Sequence, residues 1–295
     1  MASTRRRVAL ASQAGLPAWE VDDRPFHAAL RARGVEPCQP AWDDPAFRWE
    51  ECAAVLVRTT WDYVPKATAF AAWADAVARR TRLFNPPEIV RWNLDKRYLR
   101  DLEARGAPVL PTTWIEPGAA GAVGDAVREL GVARAFLKPS IGASSSGTLR
   151  FATDASGVAA ATAHVAAAPD VAFLLQPYLD RVEREGETSL VYFEGRFSHA
   201  VRKTPVPGDY RVQDDWGATD APHAPAADEF AAAEATLGAA LFAEPALYAR
   251  VDLLRDASGR PRLVELEMIE PSLFFRHAPE AADVFAEAFL RRAGI

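Results

Sequence analysis

The chain has little sulfur, no excess of positive charge and no long apolar run, and each absence excludes a class of protein. Two of its 295 residues are cysteines, Cys38 and Cys52, which excludes a disulfide-rich scaffold and a zinc knuckle. Acidic residues outnumber basic ones by 40 to 34, the wrong sign for a protein that binds nucleic acid. No stretch approaches the roughly 18 consecutive apolar residues of a membrane span. We therefore expect a cytoplasmic monomer or homodimer without nucleic acid or membrane partners.

The composition that remains is typical of a globular enzyme-sized protein with several domains. Hydrophobic residues make up 49% and charged residues 25%, so a packed core can form. The length exceeds that of one small core and predicts two or three domains. A strand, helix, strand pattern runs from Arg7 to Val57, with a helix at 26–33 that ends at Gly34, and a second helix covers 66–79. This pattern predicts an N-terminal α/β domain over residues 1–90, closed by the prolines at 86 and 87.

The rest of the chain divides into a smaller α+β unit and a hairpin-rich unit. Residues 91–175 combine helical and strand patterns, and residues 176–295 are dominated by antiparallel hairpins and two covering helices. For the first unit the pattern predicts helices at 95–105 and 155–168 and strands at 109–115 and 135–139. For the second it predicts hairpins at 188–203 and 247–269 and helices at 228–242 and 281–292.

Two neighbouring C-terminal strands carry charge at alternate positions, where one face of a sheet is expected to be apolar. Alternate side chains share a face, so Arg250 and Asp252 point the same way, as do Glu265 and Glu267 in the next strand. If the apolar residues between them face the covered side, the four charges meet on the opposite face. Crowded carboxylates are costly unless a cation neutralises them, and hard oxygen ligands suit Mg²⁺. The alternative is a solvated sheet face on which four charges line up.

A lysine followed by small and hydroxyl residues forms a second motif. Lys138 ends a short apolar strand and precedes a loop that contains Gly142, Ser144, Ser145 and Ser146. Glycine and serine let backbone N–H groups approach a phosphate, and lysine adds a point charge. The loop is not a Walker A motif, because no Gly-Lys-Ser/Thr closes it. This motif alone does not decide between two interpretations, a phosphate-binding loop and a flexible linker.

Together these motifs resemble the ATP-grasp superfamily of carboxylate–amine ligases over essentially the whole chain. The resemblance rests on the order lysine, lysine, hinge, glutamate, aspartate, glutamate, and on the spacing from Asp252 to Glu265, which is similar to that of D-alanine–D-alanine ligase. Arg58 to Tyr63 and Ser198 to Lys203 look like the glutathione-synthetase-like branch, which contains the D-cycloserine-forming ligase. The resemblance implies an ATP-grasp fold of class α/β and α+β, with an N-terminal α/β domain, a central lid domain and a C-terminal antiparallel-sheet domain.

The resemblance also implies how ATP and Mg²⁺ would be bound. The two lysines would hold the α- and β-phosphates, the serine loop would close over the triphosphate, the hinge would read the adenine edge, and Glu187 would bind the ribose. The implied ATP-binding residues are Lys96, Lys138, Gly142, Ser144, Ser145, Ser146, Gln176, Pro177, Tyr178, Leu179 and Glu187. Mg²⁺ would be bound by Asp252, Glu265 and Glu267. Many relatives have Glu-x-Asn at the last two positions, and the number of ions is left open.

In the implied reaction a substrate carboxylate attacks the γ-phosphate of ATP, and an amine then displaces phosphate from the acyl phosphate. Negative charge develops in both steps, so fixed cations are expected beside the reacting atoms. Arg250 is predicted to stabilise the oxyanion, with Lys203 and Arg211 on the γ-phosphate or the carboxylate. Substrate contacts are expected from Arg58, Thr60, Trp61, Asp62 and Tyr63, near a strand end where α/β sheets present ligand-binding groups. The loop Glu270-Pro271-Ser272-Leu273, just past the predicted metal ligands, is a second candidate for binding the substrate, with Ser272 as the predicted contact. The alternative is a simple turn that ends the strand.

The predicted function is an ATP-dependent ligase that forms an amide bond on a small amino-acid-like substrate. Two reactions stay open within this class. One is an intramolecular cyclisation of the D-cycloserine type, with O-ureido-D-serine as substrate, and the other joins two molecules, as in peptide or glutathione ligation. From a different class, a nucleotide-binding regulator without turnover is the alternative. The presence of every expected lysine and carboxylate argues against the regulator.

Overall fold

The computed structural model describes residues 6–16 and 22–295, which fold into sheets covered by helices. The strands are β1 (Arg6–Ser12), β2 (Val35–Cys38), β3 (Ala54–Thr59), β4 (Arg82–Phe84), β5 (Thr113–Ile115), β6 (Arg134–Pro139), β7 (Leu149–Ala152), β8 (Phe173–Pro177), β9 (Glu187–Phe193), β10 (Arg196–Thr204), β11 (Thr219–Pro222), β12 (Tyr248–Arg255) and β13 (Pro261–Glu267). The helices are α1 (Arg24–Ala32), α2 (Ala67–Ala78), α3 (Pro87–Asn93), α4 (Tyr98–Ala104), α5 (Val123–Leu130), α6 (Ala155–Ala166), α7 (Val182–Glu185), α8 (Ala227–Ala239) and α9 (Pro279–Ala293).

The N-terminal sheet is parallel, in the order β2-β1-β3-β4. The central strands β1 and β3 consist largely of consecutive apolar residues, because helices cover both faces of the sheet. On one face Phe26 of α1 packs with Phe285 and Phe289 of α9, and on the other Phe70 of α2 joins a second cluster. The strand, helix, strand pattern predicted for this part of the chain is therefore confirmed.

The middle sheet is antiparallel, in the order β5-β8-β6-β7, and α5 and α6 cover it. The strand predicted at 109–115 is wrong in length, since β5 begins at Thr113. Pro111 interrupts this run because it has no N–H for a ladder. Val109, ahead of it, forms an isolated bridge with Leu263 of the C-terminal sheet instead.

The C-terminal sheet is antiparallel, in the order β11-β10-β9-β12-β13, so both predicted hairpins are confirmed. In its register Arg250 lies opposite Glu267, and Asp252 lies opposite Glu265. Val251 and Leu266, between these charges, are buried in the core beneath α8. The predicted charged face therefore exists, and it belongs to a sheet whose other face is apolar.

The outer side of β13 is occupied by segments from elsewhere in the chain. The Asn93 side chain donates to the Leu266 carbonyl oxygen and accepts from the Met268 N–H, both at 2.7 Å. The Tyr98 hydroxyl accepts from the Leu266 N–H at 3.0 Å. Further along, Leu263 exchanges backbone hydrogen bonds with the segment around Val109. This border strand is therefore fixed to α3, α4 and the start of the middle unit.

The six predicted helices correspond within a few residues to α1, α2, α4, α6, α8 and α9, whereas α3, α5 and α7 were not predicted. The predicted class of α/β with α+β is confirmed. The three domain ranges stay a prediction. β8 belongs to the middle sheet and runs through Pro177, past the predicted boundary at 175. Among the described helices, none combines the length and apolar character needed to cross a bilayer.

Candidate active site

A cavity of about 260 Å³ lies between the middle sheet and the charged face of the C-terminal sheet. All predicted ATP-binding residues line it, together with the three predicted metal-binding carboxylates. The other predicted residues that line it are Lys203, Arg250, Trp61, Tyr63 and Ser272. The folding of the chain thus brings together motifs that lie up to two hundred residues apart in sequence.

Two buried lysines stand on the lid side of this cavity. Lys96, which precedes α4, donates to the Gly142 carbonyl oxygen at 2.6 Å and lies 3.0 Å from the Glu265 carboxylate. Lys138, at the end of β6, donates to the Val264 carbonyl oxygen at 3.1 Å. Burial, with Lys96 nearby, lowers the pKa of Lys138 below its ordinary value. These paired cations would gain from a polyanionic ligand.

Lys203 and Glu187 form a buried ion pair on adjacent strands β10 and β9. Lys203 also lies 3.7 Å from Asp252. Burial opposes the charge of Lys203, but Asp252 and Glu187 outweigh it and raise its pKa. Gly186 permits this close pairing: its φ is +72°, and a Cβ there would lie 2.4 Å from the Lys203 carbonyl oxygen.

Arg250 is the centre of the charged face. Its guanidinium donates to both Asp252 oxygens, at 2.9 and 2.8 Å, and forms an ion pair with Glu267. Its third nitrogen donates to the Ser272 carbonyl oxygen at 3.2 Å. The fork geometry of arginine allows it to tie two strands and the following loop together.

The carboxylates of this face differ in their tendency to ionise. Burial opposes ionisation of Asp252, but Arg250 and Lys203 outweigh it and hold its pKa at about 2. Burial likewise opposes ionisation of Glu265, but the charges of Lys96 and Lys138 outweigh this effect and lower the pKa of Glu265. For Glu267 burial prevails and raises the pKa to about 7. The cations of the chain therefore compensate this face incompletely.

The donor chemistry of Asp252, Glu265 and Glu267 fits a hard divalent cation, although the three are not preassembled as ligands. Within residues 6–16 and 22–295, no three His, Cys, Asp or Glu side chains form a set that could hold a metal ion. Arg250 and Lys96 instead engage these carboxylates. Carboxylate oxygens are the ligands that Mg²⁺ prefers, and negative charge in excess of local cations favours its binding.

The serine loop is held closed over the cavity by a second loop. Ser144 and Ser145 have positive φ values of 49° and 56°, uncommon for residues other than glycine. The Ser145 hydroxyl donates to Gln213 at 2.8 Å, and the Trp216 indole N–H donates to the Ser144 carbonyl oxygen at 3.1 Å. These two contacts offset the backbone strain and define a closed lid.

The predicted hinge, 176–179, forms the end of β8 and the wall of the cavity. The Gln176 side chain is buried and donates to the Thr112 hydroxyl at 2.9 Å. The Tyr178 N–H donates to the Arg134 carbonyl oxygen at 3.1 Å, and Arg150 donates to the Tyr178 hydroxyl at 2.9 Å. These contacts fix the backbone that faces the cavity.

Four predicted residues are not brought to the cavity. Arg58 is fully buried and makes two hydrogen bonds, of 2.9 and 2.7 Å, with Asp23. Thr60 is also fully buried. Asp62 accepts from the Trp42 indole at 2.8 Å, outside the cavity. Arg211 pairs with Asp209, and its guanidinium lies 3.5 Å from the centre of the Trp216 ring. Direct ligand contacts from these four stay a prediction, which the lining of this cavity does not support.

The loop after β13, which the sequence indicates as a candidate for binding the substrate, contributes Glu270 and Phe274 to the cavity besides Ser272. Glu270 is 9% exposed and lines the cavity, and Phe274 lies beneath Arg250 with a φ of +52°. Asp22 fixes this loop, because its carboxylate accepts hydrogen bonds from Ser272, Leu273 and Phe274. Glu270 belongs to the loop predicted directly after the charged strand, whereas Phe274 was not predicted.

The arrangement matches that of known ligases in fold and, in one case, in sequence. D-alanine–D-alanine ligase from Bacillus anthracis complexed with ATP superposes with a TM-score of 0.69 at 13% identity, covering 98% of this chain and 97% of that one. The ATP-grasp ligase PsnB, complexed with a phosphomimetic variant of its minimal precursor, Mg and ADP, gives 0.67 at 18% identity, covering 98% of both chains. The fold is therefore that of the ATP-grasp ligases.

Closer matches come from one group of these enzymes. The family model for the N-terminal domain of D-cycloserine synthetase DcsG matches residues 8–85. The cycloserine biosynthesis protein DcsG of Streptomyces lavendulae is 38% identical over 288 residues, covering 92% of this chain and 94% of that protein. The crystal structure of D-cycloserine synthetase DcsG superposes with a TM-score of 0.87 at 33% identity, covering 97% and 99%. The chain belongs to the DcsG family and is an ATP-dependent ligase.

Proposed function

We propose that this enzyme closes a small amino-acid-like substrate into a ring by an intramolecular amide bond, with O-ureido-D-serine as the substrate. The observation that supports it is the meeting, in one cavity, of the buried lysines Lys96 and Lys138 with the charged face around Arg250. The similarity to the D-cycloserine synthetase, which extends over the whole chain, favours cyclisation over joining of two molecules.

ATP would bind between the lid and the C-terminal sheet. Lys96 and Lys138 would face the α- and β-phosphates, the serine loop would cover the triphosphate, and residues 176–179 would face the adenine. Lys138 gains most from this arrangement, because a phosphate would offset the burial that lowers its pKa. Glu187, beside Lys203, would accept hydrogen bonds from the ribose.

Asp252, Glu265 and Glu267 would hold Mg²⁺. The ion, when bound, would offset the charge of the phosphates and of the carboxylates. To bind Mg²⁺, Glu265 would turn away from Lys96, and Glu267 would turn away from Arg250. Lys96 and Arg250 would then be free to contact the substrates. In this arrangement the chain exchanges internal ion pairs for ligand contacts, so little new charge is left uncompensated.

Arg250 would act in the acyl-transfer step. A substrate carboxylate that has taken the γ-phosphoryl group is an acyl phosphate, and attack on its carbonyl by the substrate's oxygen-bonded ureido nitrogen, which gives up its proton, places negative charge on the carbonyl oxygen. An always-charged guanidinium, fixed by Asp252 and the Ser272 carbonyl oxygen, stabilises that oxyanion without reorganising. Phosphate then leaves.

The test is release of ADP and phosphate from ATP and Mg²⁺ with each candidate compound alone and then in pairs. We expect release with O-ureido-D-serine alone, accompanied by a loss of mass in that compound. Release that requires a pair of compounds would replace cyclisation with intermolecular ligation. ATP binding without release across the whole panel would contradict the proposed substrate class.

A further inference from the structure

The cavity contains one buried carboxylate that the ATP and metal assignments do not use. Glu270 follows β13 and is 9% exposed, so nine-tenths of it is removed from solvent while its side chain still lines the cavity. In the described part of the chain, Glu270 takes part in no ion pair, although Glu187, Asp252, Glu265 and Glu267 all do. A buried carboxylate without a cationic partner is costly, and such groups mark functional sites.

The surroundings of Glu270 are aromatic and acidic. The Tyr63 side chain lies close enough to the Glu270 carboxyl to act on its pKa, and the Trp61 indole N–H donates to the Glu270 backbone carbonyl oxygen at 3.2 Å. Trp61 and Tyr63 line the same cavity from the N-terminal unit. Burial and the nearby charge of Glu267 raise the pKa of Glu270 to about 8. Burial favours the neutral carboxyl, so a cation that enters the cavity would stabilise the ionised form of Glu270 instead. The neighbouring aromatic rings are compatible with an organic cation.

Metal binding does not explain this arrangement as well as an organic cation does. Tyrosine and tryptophan rings are poor partners for a strongly hydrated divalent ion, whereas they suit ammonium groups. The position of Glu270 in the fold is also consistent with an organic cation as the ligand. Glu270 lies three residues beyond Glu267 and two before Ser272, whose carbonyl oxygen accepts from Arg250. Arg250 and Glu270 line the same cavity, so a substrate whose carboxylate lies at Arg250 can place a group attached to the neighbouring carbon beside this loop.

We infer that Glu270, with Tyr63 and Trp61, forms a subsite for the ammonium group next to the reacting carboxylate of the substrate. The inference deepens the proposed function and rests on it for the position of the carboxylate. It assigns the substrate class as amino acids with a free α-amino group. Carboxylates that lack this group, or carry it acylated as in a peptide, would leave Glu270 buried without a partner, and they are selected against.

The experiment compares O-ureido-D-serine with its analogue that lacks the amino group, using the wild type and Glu270→Gln. With the wild type we expect kcat/KM for the analogue to be lower by roughly 100-fold. In Glu270→Gln, KM for the amino compound should rise by a similar factor while KM for ATP changes less than about twofold, and the preference between the two compounds should disappear. Glu244→Gln, an exposed carboxylate paired with Arg292 away from the cavity, is the matched control.

A binding measurement separates failure of the inference from failure of the proposed function. Calorimetric titration of D-serine and of 3-hydroxypropanoate into the enzyme with a non-hydrolysable ATP analogue and Mg²⁺ does not require turnover. Preferential binding of D-serine that Glu270→Gln abolishes supports the subsite even if O-ureido-D-serine is not cyclised. Equal binding of both compounds by the wild type, or an unchanged preference in Glu270→Gln, overturns it.

Discussion

The Arg250 guanidinium and the Asp252 carboxylate, on the same face of β12, are joined by two parallel hydrogen bonds of 2.9 and 2.8 Å. Both residues are almost completely buried, at 6% and 2% exposure. The pair therefore has two roles. It fixes the geometry of the charged face, and it holds a proposed oxyanion-stabilising group beside a proposed metal ligand.

Arg250→Lys is expected to lower kcat by roughly 100-fold while the affinity for ATP changes little. A lysine keeps the charge but cannot bond both Asp252 oxygens and the Ser272 carbonyl oxygen at once, so the cation loses its orientation. Steady-state kinetics with ATP titrations separate the two effects. Arg255→Lys, later on the same strand and paired with Asp228, is the control. A loss of ATP affinity with an unchanged kcat would move Arg250 from the acyl-transfer step to nucleotide binding.

Asp252→Asn and Glu265→Gln should both abolish release of ADP, because each removes a proposed ligand of Mg²⁺. Their stabilities should differ. Asp252→Asn deprives Arg250 and Lys203 of a buried partner, whereas Glu265 is partly exposed and pairs with Lys96. Thermal unfolding should therefore show a larger fall in Tm for Asp252→Asn. Unchanged turnover in either variant would contradict the metal assignment.

Lys138→Met is expected to weaken ATP binding by roughly 10- to 100-fold while leaving the fold intact. Methionine fills a similar volume. Among residues 6–16 and 22–295, no carboxylate forms an ion pair with Lys138 that the substitution would break, and its ammonium donates to a carbonyl oxygen. Isothermal titration with ATP measures the change. Lys66→Met, an exposed lysine paired with Asp43, controls for loss of net charge. Unaltered ATP affinity would remove Lys138 from the phosphate site.

Gly186→Ala should lower both Tm and kcat. The residue has a φ of +72°, and an added Cβ would lie 2.4 Å from the Lys203 carbonyl oxygen, so β9 and β10 must separate where Glu187 and Lys203 pair. Gly208→Ala is a matched control with a φ of +85° and no atom within 4 Å of the added Cβ. A comparable loss in both variants would show that backbone strain, not the clash, is responsible.

Glu270→Gln should stabilise the enzyme, and the gain should grow with pH. The folded pKa is about 8 against an ordinary 4.5, so the folded state holds this proton more tightly than the unfolded chain does. Stability is then lost as pH rises from 4.5 to about 8 and changes no further above that. Glutamine removes this loss, worth at most a few kcal/mol. The groups that act on Glu270 are Glu267, Tyr63, Lys96 and Glu265.

The measurement is Tm of the wild type and Glu270→Gln between pH 5 and 9, in the absence of substrate. The difference should widen toward pH 8 and then level. Glu244→Gln, which lies at the surface, should show no such widening. A difference that stays constant with pH would mean that Glu270 is ionised throughout this range and already has a partner.

The alternation of charge within each strand of the charged face could be predicted from sequence, because a period of two fixes which residues of one strand share a face. The register between the two strands could not. The pairs next to the turn would place Arg250 opposite Leu266, and a β-bulge between Asp252 and Leu253 shifts the register so that Arg250 lies opposite Glu267. The serine loop was recognisable from sequence, since its composition suits close approach of the backbone to phosphate.

The residues around β3 could not be assigned in this way. Arg58 is a charged residue near the end of an apolar strand, which is typical of a ligand contact, but its partner Asp23 lies in a different element. A buried ion pair between distant segments leaves no local pattern. The loop that contains Glu270 could be predicted as a candidate, but the burial of the Glu270 side chain in the cavity could not. Glu270 lies past the end of β13, where alternation no longer indicates which way a side chain points.

The position of β13 at the border of its sheet bears on the association behaviour of this protein. A free border strand presents unpaired N–H and C=O groups to which strands of other molecules can add. Here Asn93, Tyr98 and the segment around Val109 satisfy those groups, so the strand that carries Glu265 and Glu267 is closed to intermolecular pairing. Partial unfolding that detaches these segments would expose the border, and aggregation is then expected to begin at the strand that carries the proposed metal ligands.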